Sequence, residues 1–126
     1  MARVLGIGGV FFKADDPAAV ADWYRRVLGF DIQAGWNGAM WPPPSTGYSI
    51  WSPFSADTDY MAPSTQPFMV NFVVDDLDGV LARAQAAGVE PVGRNDADPN
   101  GSFAWLMDPA GVKIELWQPK GPSPFT

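Results

Sequence analysis

Glu115 is the residue best placed to do chemistry. It lies in Val112-Lys113-Ile114-Glu115-Leu116-Trp117, where apolar and polar residues alternate as on a strand with one buried face. Ile114 and Leu116 point one way, and Lys113, Glu115 and Trp117 point the other. A carboxylate between an ammonium and an indole has three uses. It can pair with Lys113 or with Lys13. Buried without a partner, its pKa would rise and it could act as a general base, with Lys13, Lys113 or Asn71 stabilising a developing oxyanion. It can also meet a ligand, and a cationic one suits it.

The rest of the composition narrows the chemistry. The 126 residues include no cysteine and no histidine. Thiolate catalysis, disulfides and Cys-zinc sites are thereby excluded, and the commonest metal ligand and general base is missing. The net charge of −6 comes with no basic block, which argues against nucleic acid and anionic membranes as partners. Six tryptophans are more than a chain this size commonly carries, and indoles are good walls for a ligand cavity. Nothing approaches a membrane span and the first residues show no signal-peptide pattern, so the expected location is the cytoplasm.

The elements that must position these residues follow in order. Residues 4–13 read as a strand. Asp16 caps a helix with Pro17 in its first turn, and Val20, Trp23, Tyr24, Val27 and Leu28 form one apolar stripe before Gly29 ends it. Residues 30–36 and 39–41 read as strands joined at Asn37-Gly38, stopped by Pro42, Pro43 and Pro44. Residues 48–51 make another strand. The proline-rich stretch up to residue 67 is a long connection that could lie over a pocket. Residues 68–74 then read as a strand, and Asp75 or Asp76 caps a helix with Leu77, Val80, Leu81 and Ala84 on its stripe. Residues 89–93 form a strand, 95–101 a polar loop, and 103–107 with 112–117 a closing hairpin. The chain from 120 on is a loose tail.

The pattern repeats. Val10-Phe11-Phe12-Lys13-Ala14-Asp15-Asp16 matches Val70-Asn71-Phe72-Val73-Val74-Asp75-Asp76, and Leu28-Gly29-Phe30 matches Ala87-Gly88-Val89. The expectation is one domain of α+β class, residues 1–126. It holds tandem βαβββ modules at 4–53 and 68–119, a connecting loop at 54–67 and a tail at 120–126, with mixed sheets curling around a cavity.

Asp-Pro-x5-Trp-Tyr-x3-Leu-Gly-Phe in the first half, and Val74-Asp75-Asp76-Leu77-Asp78 with Asp108-Pro109-Ala110-Gly111-Val112-Lys113-Ile114-Glu115-Leu116-Trp117 in the second, carry a family likeness. The sequence resembles the glyoxalase / bleomycin-resistance / extradiol-dioxygenase superfamily, also called vicinal oxygen chelate. The resemblance implies metal-ligand positions at Gly9, Ser49, Met69 and Glu115. Only Glu115 is a usual ligand, so no metal and no cofactor is expected. The face that would hold a ligand carries Phe11, Lys13, Ser49, Trp51, Met69, Asn71, Lys113, Glu115 and Trp117. Val10, Phe12, Tyr48, Ile50, Val70, Phe72, Ile114 and Leu116 face the helices. Trp36, Trp41 and Trp105 are candidates for a rim, and Trp105 joins the substrate-binding set. The resemblance implies a metal-independent protein that holds an aromatic or cationic small molecule in a Trp-lined cavity, as a homodimer. The alternatives are a glyoxalase-like lyase or isomerase with Glu115 as catalytic base, and a non-catalytic interaction module.

Overall fold

A computed structural model of the chain describes residues 2–3, 5 and 7–125. Its elements run α1 Pro17–Leu28, β1 Met69–Val73, α2 Leu77–Ala86, β2 Gly93–Asp98, β3 Gly101–Met107 and β4 Lys113–Pro119. The strands form one four-stranded sheet in the order β1-β4-β3-β2. β1 is parallel to β4 and the other pairings are antiparallel. The architecture is α+β with a mixed sheet.

Both helices start and stop where local chemistry dictates. Asp16 accepts a hydrogen bond from the Ala19 amide at 3.1 Å, and Pro17 needs no such partner. Gly29 takes φ +71°, the left-handed geometry that ends a helix, and its N–H donates to the Arg25 carbonyl. Of the two aspartates before α2, Asp76 is the cap, accepting from the Gly79 amide at 3.1 Å.

The core lies between the helices and one sheet face. Val20, Trp23, Tyr24 and Val27 of α1 and Leu77 and Ala84 of α2 cluster with Ala104, Leu106, Ile114 and Leu116. Val70 and Phe72 of β1 pack against them. Each fully buried aliphatic side chain here contributes about 1.5–3 kcal/mol. Asp108 locks the turn between β3 and β4. Its Oδ1 accepts from the amides of Ala110 at 2.8 Å and Val112 at 2.9 Å, and its Oδ2 accepts from the Tyr24 hydroxyl at 2.5 Å. The closing hairpin is thus fixed in place and also tied to α1.

The first half departs from its expected strands. Among the described residues none of 4–13, 30–36, 39–41 or 48–51 is a strand, and Val4, where the first was expected to begin, lies outside them. Among the described residues there is one sheet, and it does not close around a cavity. Asn37-Gly38 still reverses the chain. Asn37 has φ +58°, and the Gln33 amide donates to the Gly38 carbonyl at 2.8 Å. The reversal is not extended into a ladder, because Pro42, Pro43 and Pro44 supply no N–H where the returning arm needs donors. Phe12 makes a tilted ring contact with Phe68 at 6.4 Å.

In the second half the second strand is displaced from 89–93 to Gly93–Asp98, taking most of the expected polar loop into the sheet. This is an edge strand, which tolerates polar side chains. Arg94 ties it to α2 by an ion pair with Asp78 and also pairs with Asp96 on the same strand, both at 2.8 Å, while Pro91 has no amide to donate. A register shift between Asn95 and Asp98 absorbs the mismatch with β3.

Candidate functional site

Glu115 sits on the sheet face opposite the core, as its parity requires, and it is the centre of a polar cluster. β4 lies between β1 and β3, with Asn71 on one side of Glu115 and Trp105 on the other in direct register. Cross-strand neighbours on one face are close enough to bond. Asn71 Nδ2 donates to Oε1 at 2.7 Å, and Trp105 Nε1 donates to Oε2 at 2.8 Å. The Tyr60 hydroxyl, from the 54–67 segment, makes a short hydrogen bond to the same Oε2. Burial, and then the hydrogen bond and charge of Glu115, push the Tyr60 phenol well above its ordinary pKa, so it stays a donor.

Lys113 is two residues back on the same face. Its Nζ donates to the Tyr60 carbonyl at 2.6 Å and lies 5.1 Å from the centre of the Tyr60 ring and 5.5 Å from that of Trp105. These are cation–π distances. Lys113 and Glu115 are both buried, 9% and 8% exposed. Neither makes an ion pair among the described residues; each charge is met by neutral groups instead. Pairing of Glu115 with Lys13 or Lys113, one of the three uses the sequence leaves open, is not what the structure contains. The physical reason is that Tyr60 offers a donor to the acid and an acceptor to the base at once.

Beside this cluster the rings form a row. Phe103 stacks 6.4 Å from Trp105 and 6.1 Å from Trp117, nearly parallel to both. Tyr48 meets Trp117 edge-on at 5.1 Å. Tyr48 was expected on the helix side. Residues 48–51 are not held in a strand, so strand parity does not govern where its ring goes. Trp117 is buried, and its Nε1 donates to the Asn100 carbonyl at 3.0 Å.

The structure thus brings together Asn71, Trp105, Lys113 and Glu115, with Trp117 adjoining through Phe103. Met69 stands half-buried in register with Lys113. Phe11, Ser49 and Trp51 are not gathered there: Phe11 is 91% and Trp51 81% exposed, and Ser49 is exposed. Lys13 lines a separate concavity of about 670 Å³ at the start of α1, with Asp15, Asp16, Gln66 and Pro109. Trp41 packs edge-on against Phe30 at 4.9 Å and lies near Phe72, on the helix side rather than at a rim. Trp36 is exposed. Tyr60 is the residue that sequence reasoning missed. Its segment was expected over a pocket, but nothing periodic marks which of its side chains turns inward.

The metal positions implied by the family do not fit a metal here. Gly9 has no side chain, Ser49 is exposed and Met69 is a thioether. Both Glu115 oxygens already accept hydrogen bonds. Among the described residues no three His, Cys, Asp or Glu side chains cluster. Among the same residues no helix is long and apolar enough to cross a membrane.

Comparison with known proteins gives a consistent picture. A family model described as a glyoxalase-like domain matches residues 9–117. No curated protein matches the chain. Among solved structures, TnmS3, an antibiotic binding protein from Streptomyces sp. CB03234, is 27% identical over 85% of this chain and 89% of its own, with a TM-score of 0.53. A glyoxalase/bleomycin resistance protein from the same source is 27% identical over 83% of this chain and 93% of its own, at 0.51. The match to a glyoxalase family protein from Bacillus anthracis spans half of this chain and half of that one, at 22% identity and a TM-score of 0.39.

Proposed function

The chain belongs to the glyoxalase-like domain family, and from that premise we propose that it is a metal-independent protein that binds an aromatic or cationic small molecule on the Glu115 face. One observation carries the reading. A buried carboxylate and a buried ammonium share a sheet face beside a row of aromatic rings, and neither charge is spent on an ion pair among the described residues. Aromatic walls with a few polar groups are what a small-molecule site needs. That TnmS3 is an antibiotic binding protein supports the same class of function. A general-base role for Glu115 gains nothing from the geometry, since both its oxygens are already hydrogen-bonded.

The same proposal includes a homodimer and a cytoplasmic setting. Exposed Phe11, Met40, Ile50 and Trp51 support the first, because side chains of this size in one half of a chain favour a partner surface. Light scattering would give the mass in solution.

Titration with a panel of aromatic cations, followed by tryptophan fluorescence, tests binding. A saturating quench is expected from Trp105. Glu115→Gln should weaken a cationic ligand about tenfold, the worth of one charge-assisted contact. Unchanged affinity would remove Glu115 from the site.

A further inference from the structure

Tyr60 deals with both charges of the face through two different groups. Its phenol donates to Glu115, its main-chain carbonyl accepts from Lys113, and its ring lies beneath the same ammonium. Trp105 also meets both, but it belongs to β3 and is fixed by the sheet. Tyr60 instead comes from a segment with no regular secondary structure and is 38% exposed. That segment has one other hydrogen bond to the sheet's hairpin, from Ser64 Oγ to the Gly111 carbonyl at 2.5 Å. Its other bonds close turns within itself, such as Thr58 to Ser55 and Ala62 to Asp59.

The contacts describe a guest as well as a host. A hydroxyl donor meets the carboxylate, a carbonyl acceptor meets the ammonium, and an aromatic ring spans the gap. Lys113 and Glu115 are two residues apart on one strand, so their Cα atoms lie about 6.5–7 Å apart, a ring-sized spacing. We propose that Tyr60 occupies the ligand's own seat. The face takes a hydroxyaryl compound that carries a carbonyl on the far side of its ring, and the 54–67 segment withdraws Tyr60 to admit it. This rests on the reading of the Glu115 face as a binding site, and it names the ligand class. A seat filled from within lowers the apparent affinity for any outside ligand by the fraction of time it stays filled.

The probe is N-acetyltyrosinamide, which reproduces the donor, the ring and the carbonyl, set against N-acetylphenylalaninamide, which lacks the donor. Calorimetry should show Tyr60→Ala binding the tyrosine amide at least about tenfold more tightly than the wild type, and preferring it about tenfold over the phenylalanine amide. Equal affinity in wild type and variant, or no preference between the amides, overturns the proposal. Circular dichroism checks that the variant folds. If it does not, Tyr60→Phe decides: it keeps the ring but loses the bond to Glu115. Its affinity for the tyrosine amide must rise above that of the wild type, and no rise overturns the idea. Should the Tyr60 variants fail while the wild type still binds an aromatic cation through Glu115, only the seat falls. Should nothing bind any of them, the binding reading falls with it.

Discussion

Asp16 and Asp76 do the same thing sixty residues apart. Each accepts from the amide three residues on at 3.1 Å and starts a helix that closes near a glycine of positive φ. The strands that follow behave differently. In the second half they pair into a sheet with Ile114 and Leu106 fully buried. In the first half the corresponding residues stay out of any ladder, and Ile50 and Trp51 are 63% and 81% exposed. A helix closes its backbone hydrogen bonds within its own stretch of chain, so a repeated cap gives a repeated helix. A strand needs a partner delivered at the right register. The second half has the Asp108 turn to deliver it, and the first half has three consecutive prolines at that place.

The largest effect should separate the two halves by their cores. Ile114→Ala removes a side chain that is 0% exposed and should cost about 2–5 kcal/mol in urea unfolding at every protein concentration. Trp51→Ala should change the unfolding of dilute monomer by no more than about 0.5 kcal/mol. With a homodimer it should instead weaken association, which unfolding at two concentrations would reveal. Equal costs for the two substitutions in dilute protein would erase the contrast.

That contrast also marks what the sequence could tell. The helix caps, the apolar stripes, the Asp108 turn and the alternation around Glu115 were legible because each depends on residues a few positions apart. Parity placed Ile114 and Leu116 in the core and Lys113, Glu115 and Trp117 on the other face. Pairing of the first-half segments was not legible, because a strand-like pattern says nothing about whether its partner arrives. β2 was hidden for the reverse reason: Arg94, Asn95 and Asp96 look like loop residues but hold an edge through ion pairs and register. Tyr60 could not be chosen from a segment without period, although its prolines did announce a long excursion. Which of its three uses Glu115 would take was not legible either, because a hydrogen-bond partner comes from 55 positions away.

Tyr24 joins the halves, and high pH should test that join. It is buried in α1 and donates to Asp108 in the hairpin turn. Burial first, and then that bond, raise its pKa far above the ordinary 10.0. The unfolded chain therefore loses this proton above about pH 10 while the folded chain keeps it. The native state binds more protons there, so stability is full below pH 10 and falls as pH rises beyond it, at up to about 1.4 kcal/mol per pH unit for this one group. Tyr24→Phe should lower stability at pH 7 by about 1–2 kcal/mol and flatten the alkaline decline. A decline of unchanged slope would show that the bridge between α1 and the turn does not carry it.

The smallest effect concerns what the halves share. Asp16→Ala and Asp76→Ala each remove one side-chain acceptor from a helix start, at nearly identical geometry. Each should cost about 1 kcal/mol, and the two costs should agree within a few tenths. The side-chain bond of each cap closes within one turn of chain, so the absence of first-half strands among the described residues should not reach it. Pro17 follows Asp16 and has no N–H of its own, whereas the corresponding Leu77 amide of α2 relies on the Gln118 side chain. That small asymmetry favours a slightly lower cost at Asp16. Thermal unfolding of the two variants side by side measures it. A cost at Asp76 several times that at Asp16 would mean that the cap of α2 also supports the sheet, through the Gln118 side chain that accepts from the Leu77 amide at 2.8 Å. The repeat would then differ even at its most local point.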